Sequence, residues 1–70
     1  MYNIEFIYND QKKSEAFYNV IKVCYSDVVV ENDDILNHSF PTDCDIHVYT
    51  EEGNYHVSPN NLKYIEVYKD

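Results

Sequence analysis

The residues Tyr2 to Asn9 alternate strictly, with Tyr2, Ile4, Phe6 and Tyr8 on one face and Asn3, Glu5, Ile7 and Asn9 on the other. A period of two built from aromatic and β-branched side chains belongs to a half-buried strand, because successive side chains of an extended chain point to opposite faces. The same reading extends along the chain. Val28–Glu31 is a short strand after the Ser26-Asp27 break, and Ile35–Phe40 is expected to be another, ending where Pro41 removes a donor. Cys44–Thr50 and Asn54–Ser58 form strands around Glu51–Gly53, and Leu62–Lys69 is a last strand with Ile65 and Val67 on the core side.

One segment fits two templates. In Ala16–Tyr25, Phe17, Val20, Ile21 and Cys24, continued by Val28, match helical spacing, whereas Phe17, Ile21, Val23 and Tyr25 match a strand with Asn19 as the exception. Val, Ile, Tyr, Phe and Cys suit a pleated surface better than a helix, which favours a strand pairing back on the first. A short helix within residues 14–25 stays open. The chain is therefore expected to be a single domain over residues 1–70. Its fold class is all-β, an antiparallel meander, barrel or sandwich of five to seven short strands, or α+β if residues 14–25 are helical. With 70 residues, 44 % of them hydrophobic and including eight Tyr and three Phe, it can build one small core.

The stretch Ile46–Val57 holds two histidines, two carboxylates, two tyrosines and the only glycine. If Glu51–Asn54 is a four-residue loop, Thr50 closes against Tyr55 and Val48 faces Val57, while His56 faces Tyr49 and His47 faces Ser58. Ile46, Val48, Tyr55 and Val57 then point to the core, and His47, Tyr49 and His56 point out, the histidines as diagonal neighbours. A slip of one residue would mix the two faces. Gly53 or Asn54 is expected to supply a positive φ in the loop.

Charge is the strongest compositional signal. Thirteen acids face five lysines and no arginine, for a net charge of −8. Asp27, Glu31, Asp33, Asp34, Asp43, Asp45, Glu51 and Glu52 fall within residues 27–52, which contain no lysine, while the acids outside are balanced by Lys12, Lys13, Lys22, Lys63 and Lys69. Direct nucleic-acid binding is disfavoured, because phosphate contacts need clustered cations. An acidic surface instead attracts basic proteins and speeds their encounter. The expected contact residues are Asp33, Asp34, Asp43, Asp45, Glu51 and Glu52, with Tyr49 as an aromatic anchor of large area and low entropy cost.

Motifs of catalysis and cofactor binding are weak or missing. Two exposed histidines would share a metal only with further ligands, and Glu51 is the nearest third candidate beside His47 and His56; no structural zinc spacing accompanies them. The acids after Asp43 do not follow an EF-hand loop, because the sixth residue is Val48 where a glycine is needed. One glycine leaves no phosphate-cradling loop. Neither Cys24 nor Cys44 has a recognisable base, and Cys44 between two aspartates should resist ionising. No enzyme activity and no cofactor are expected. Both cysteines read as thiols of a reducing cytosol. No targeting signal and no run of about 18 apolar residues appear, so the expected location is the cytoplasm, away from membranes.

The segment His38–Val67 resembles the small acidic β proteins of phages and mobile elements of Gram-positive bacteria, over about 30 of the 70 residues. The shared pattern is Phe40-Pro41, the strand Asp45-Ile46-His47-Val48, the return Gly53-Asn54-Tyr55-His56-Val57 and the final Ile65-Glu66-Val67. The resemblance implies an inhibitor of host defence, of the anti-CRISPR or DNA-mimic type, whose carboxylates occupy a basic groove in a nucleic-acid-handling host protein. Two alternatives stand beside it: a β interaction module that forms a homo-oligomer such as a dimer through its edge strands, and a small-ligand or metal-binding module using His47, His56 and Glu51.

Overall fold

The computed structural model describes residues 1–10 and 13–70; part of the polar connection expected after Asn9 lies outside them. Six strands form: β1 (Tyr2–Tyr8), β2 (Ser14–Tyr25), β3 (Val28–Glu31), β4 (Ile46–Thr50), β5 (Gly53–Val57) and β6 (Leu62–Lys69). A single helical turn, α1 (Asp34–Asn37), follows β3. The strands make one antiparallel sheet in the order β5-β4-β2-β1-β6, with β3 paired to β2 off that path. β5 and β6 are not paired to each other, so the sheet does not close into a barrel. The fold is all-β, as the alternation demands, and the helical alternative for residues 14–25 is replaced by a 12-residue strand.

β2 organises the molecule because it serves both halves of the sheet. Ser14–Val20 pairs with β1, while Val20–Cys24 pairs with β4 and Lys22–Tyr25 with β3. Two irregularities turn it between these jobs. Ile4 lies opposite Phe17 but Tyr2 lies opposite Val20, so β2 carries an extra residue there. Asn19 absorbs it with φ 58°, a left-handed conformation that Asn tolerates better than most residues. Its N–H donates to Oδ1 of the buried Asn3 at 3.2 Å, and its carbonyl accepts the N–H of Glu51 at 3.3 Å. On the other edge Val20 faces Thr50 and Lys22 faces Tyr49, which leaves Ile21 unopposed. Ile21 is turned outward and 46 % exposed, against its expected place on the inner face.

The core holds Ile4, Phe6, Val20, Val23, Val30, Ile35, Ile46, Val48, Val57 and Leu62, with Phe17, Ile65 and Val67 partly buried against it. Burying each such aliphatic side chain contributes about 1.5–3 kcal/mol, which is what holds so short a chain together. Asn3 is the exception on the first strand: expected to point outward, it is buried because the bulge needs its carbonyl.

Two expectations are corrected. Ile35–Phe40 is not a strand: residues 34–37 make α1, and 38–40 are irregular. Only Ile35 of this segment is fully buried, and Leu36 points outward. Successive hydrogen bonds from Ile35 N–H to the Asn32 carbonyl and from His38 N–H to the Ile35 carbonyl curl the chain where an extended segment would need a partner strand. α1 packs between β3 and β6.

The β4–β5 hairpin has a two-residue turn, Glu51-Glu52, closed by Thr50 opposite Gly53, and not a four-residue loop. The register differs from the expected one by two residues: Val48 faces Tyr55, Ile46 faces Val57 and His47 faces His56. A shift of two keeps the parity of every side chain, but Tyr55, expected in the core, is 43 % exposed, with Ile46, Val48 and Val57 buried as expected. The Thr50 hydroxyl explains the tighter turn, since it accepts the N–H groups of Glu52 and Gly53, both at 3.2 Å, and donates to the Gly53 carbonyl at 3.0 Å. Gly53 supplies the positive φ expected in the loop, at 159°, a value that residues with a Cβ rarely adopt, and Asn54 does not; among the described residues the other positive φ values are at Asn19, Ser26, Asn32 and Asn61.

Candidate interaction surface

The acidic segment is divided by the topology. β4 runs from Ile46 to Thr50, so Asp43 and Asp45 precede one end and Glu51 and Glu52 form the turn at the other. Asp27 sits in the β2–β3 turn beside the first end, because Cys24 pairs with His47 and Tyr25 with Val28. Glu31 faces Lys22, which also pairs with Tyr49, and Asp33 accepts the hydroxyl of Tyr2, which stands opposite Val20 and through it Thr50, so both lie toward the second end; Asp34 instead borders a hollow beside Val28–Val30. At about 3.4 Å per residue, Asp45 and Glu51 are roughly 20 Å apart along the strand. That exceeds the screening length of about 8 Å at physiological salt, so the two poles act separately.

All eight carboxylates are exposed. Two have side-chain partners: Asp33 accepts the Tyr2 hydroxyl, and Asp45 Oδ2 lies 3.3 Å from His56 Nε2. The Asp33 hydrogen bond holds the Tyr2 phenol above its ordinary pKa. Among the described residues Asp27, Glu31, Asp34, Asp43, Glu51 and Glu52 make no side-chain hydrogen bond or ion pair. Tyr49 is half-buried beside Lys22, whose Nζ stands 4.5 Å from the ring centroid. The anchor expected among four acids therefore carries a cation over its face.

His47 and His56 are directly opposed, not diagonal, with rings stacked at 4.8 Å and 10°. Glu51 lies at the far end of β4 from them, so the three proposed ligands are not brought together. Among the described residues no group of three His, Cys, Asp or Glu side chains is arranged to hold a metal ion. Cys24 faces His47 across the β2–β4 pair, and both cysteines are free and half-buried.

Two features escaped the sequence reading. Tyr25, His38 and Phe40 form an aromatic cluster in which Tyr25 Oη lies 2.5 Å from His38 Nε2. A cleft of about 560 Å³ opens between the start of β2 and the end of β5, lined by Tyr8, Glu15, His56, Val57 and Ser58 among others. In it Tyr8 Oη donates to Glu15 Oε1 at 2.5 Å, and burial together with that carboxylate pushes the Tyr8 phenol up to about 12. Alternation placed Tyr8 correctly, but nothing in the sequence brings residues 8 and 15 to residues 56–58. Comparison of the chain with protein-family models, curated proteins and solved structures returns no match. Among the described residues no helix is long and apolar enough to cross a membrane.

Proposed function

We propose that this chain is a non-enzymatic acidic binding protein that occupies a basic surface on another protein. In the reading favoured by its resemblance, it is a phage or mobile-element inhibitor of a nucleic-acid-handling host protein, of the anti-CRISPR or DNA-mimic type, acting in the host cytoplasm. The observation that carries the proposal is the set of six exposed carboxylates without side-chain partners among the described residues, five of them toward the two ends of β4. Unpaired like charges repel one another in the free protein, and a basic partner relieves that repulsion while gaining attraction of its own. The two-pole arrangement favours a partner that presents two separated cationic patches over a single continuous row.

The test is capture from host lysate at low and high salt, using the native chain and a variant with Asp43, Asp45, Glu51 and Glu52 changed to Lys. The expected result is a nucleic-acid-binding protein held by the native chain, released by salt and absent from the variant. Equal capture by both chains overturns the proposal.

A second reading, a homo-oligomeric β module, is favoured by Val29, 58 % exposed on the four-residue strand β3 beside Val28. A dimer through that patch persists at high salt on a sizing column, whereas the first reading gives a monomer in all conditions.

A further inference from the structure

We infer that the outer edge of β5 takes up an extended, basic segment of the partner by strand addition, with a cationic side chain entering the cleft beside Glu15. The inference rests on the proposed function and specifies how its partner is held.

Four observations support it. First, β5 is a path end of the sheet and pairs only with β4. In a two-residue hairpin the closing pair Thr50–Gly53 is hydrogen-bonded, and pairs alternate from there, so Asn54 and His56 turn their N–H and C=O groups away from β4. Second, this edge lacks the usual protection. Natural edges are blunted by charges, prolines or bulges. The other path end, β6, carries Lys63, Glu66 and Lys69 and touches α1, while Gly53–Val57 has no Lys, no carboxylate and no Pro. Third, the edge borders open space. Ser14–Phe17 of β2 pairs with β1 alone, and between this half of β2 and β5 lie the 560 Å³ cleft and a second hollow of about 140 Å³ beside Phe17 and Tyr55. The Phe17 and Tyr55 rings meet at 5.0 Å and give the smaller hollow an aromatic wall. Fourth, charge selects the occupant. Asp10 and Glu15 line the cleft against Lys13, Glu52 lines the smaller hollow, and the whole chain stands at −8. A second copy would bring another −8 to the same edge, whereas a lysine-bearing strand brings the opposite sign. Main-chain hydrogen bonds would then supply affinity, and alternate side chains specificity.

The probe is a capped decapeptide of alternating lysine and valine, titrated into the intact protein. Binding is read by fluorescence anisotropy, and its location by amide hydrogen exchange. Strand addition slows exchange at the Asn54 and His56 amides selectively. His56→Pro, which removes an outward donor at an edge position where proline is tolerated, weakens binding at least ten-fold. Glu15→Gln weakens it several-fold while leaving the Asn54 amide protected. Should His56→Pro unfold the sheet, the exchange pattern of the native chain decides alone. Binding that protects neither amide overturns the inference yet leaves the acidic-surface reading standing. No binding of this or any other basic probe removes both. A chain that dimerises through β5 overturns the inference in favour of self-association.

Discussion

Substituting Asn19 tests the device on which the fold turns. Its φ of 58° lies in the left-handed region, where a Cβ crowds the following carbonyl at a cost of about 1–2 kcal/mol for ordinary residues. Asn is among the few residues that visit this region with a smaller penalty, and a β-branched residue is a clear misfit. Two hydrogen bonds of Asn19 use its backbone, the N–H donating to Asn3 Oδ1 and the carbonyl accepting from the Glu51 N–H. Changing the side chain therefore alters the conformational term and leaves those bonds available. Asn19→Val is expected to destabilise the protein by about 1–2 kcal/mol. For a domain of this size each kcal/mol moves Tm by about 4–8 °C, so the drop should fall between about 4 and 16 °C. Asn19→Gly should stay within about 1 kcal/mol of the native chain, because glycine enters the left-handed region freely but loses more entropy on folding. Thermal melts followed by circular dichroism give the three values. A Val variant as stable as the Gly variant would refute the bulge argument, since only the left-handed conformation separates the two in this direction.

Other outcomes follow from single contacts. Thr50→Val keeps the shape of the side chain but removes the hydroxyl that holds the Glu51-Glu52 turn; a loss of about 1 kcal/mol is expected in urea titrations, given about 0.5–1.5 kcal/mol for a typical hydrogen bond. Tyr8 should titrate near 12 by ultraviolet or NMR titration. Its folded pKa is raised above the ordinary phenol value of 10.0, so its contribution to stability is complete below about pH 10 and is lost as pH rises through about 12; Tyr8→Phe should flatten that alkaline loss. The Asp45–His56 pair is half exposed, at 58 % and 50 %, so Asp45→Asn should change stability by less than about 1 kcal/mol at pH 5.5, with any effect vanishing in high salt. A larger effect would place the pair in a role beyond a surface contact.

The strands of this protein were legible because their chemistry is local. Alternation in Tyr2–Tyr8 named Ile4 and Phe6 as core, and the faces of Ile46, Val48, His47 and His56 came out correctly even though the hairpin register did not. Faces depend on parity alone, whereas the register also depended on Thr50, whose hydroxyl draws the turn down to two residues. The ambiguity of residues 16–25 has a physical source. Bulges at Asn19 and Ile21 insert extra residues into β2, so its inward positions fall at Phe17, Val20 and Val23, a spacing of three that imitates a helix. The misread strand at Ile35–Phe40 shows the same limit: an apolar stretch becomes a strand only if a partner edge is free to receive it, and α1 instead sets Ile35 alone into the core.

What the sequence determined by itself is the class of structure and the sign of the surface. Side-chain periodicity and a count of charges are properties of the chain before it folds. Tertiary structure decided where those charges stand. Because β4 runs extended between Asp45 and Glu51, acids that fall within one stretch of sequence come to stand at two poles roughly 20 Å apart. Folding also created the β5 edge and its cleft, because residues 8 and 15 meet residues 56–58 only once the bulged β2 has turned from one half of the sheet to the other.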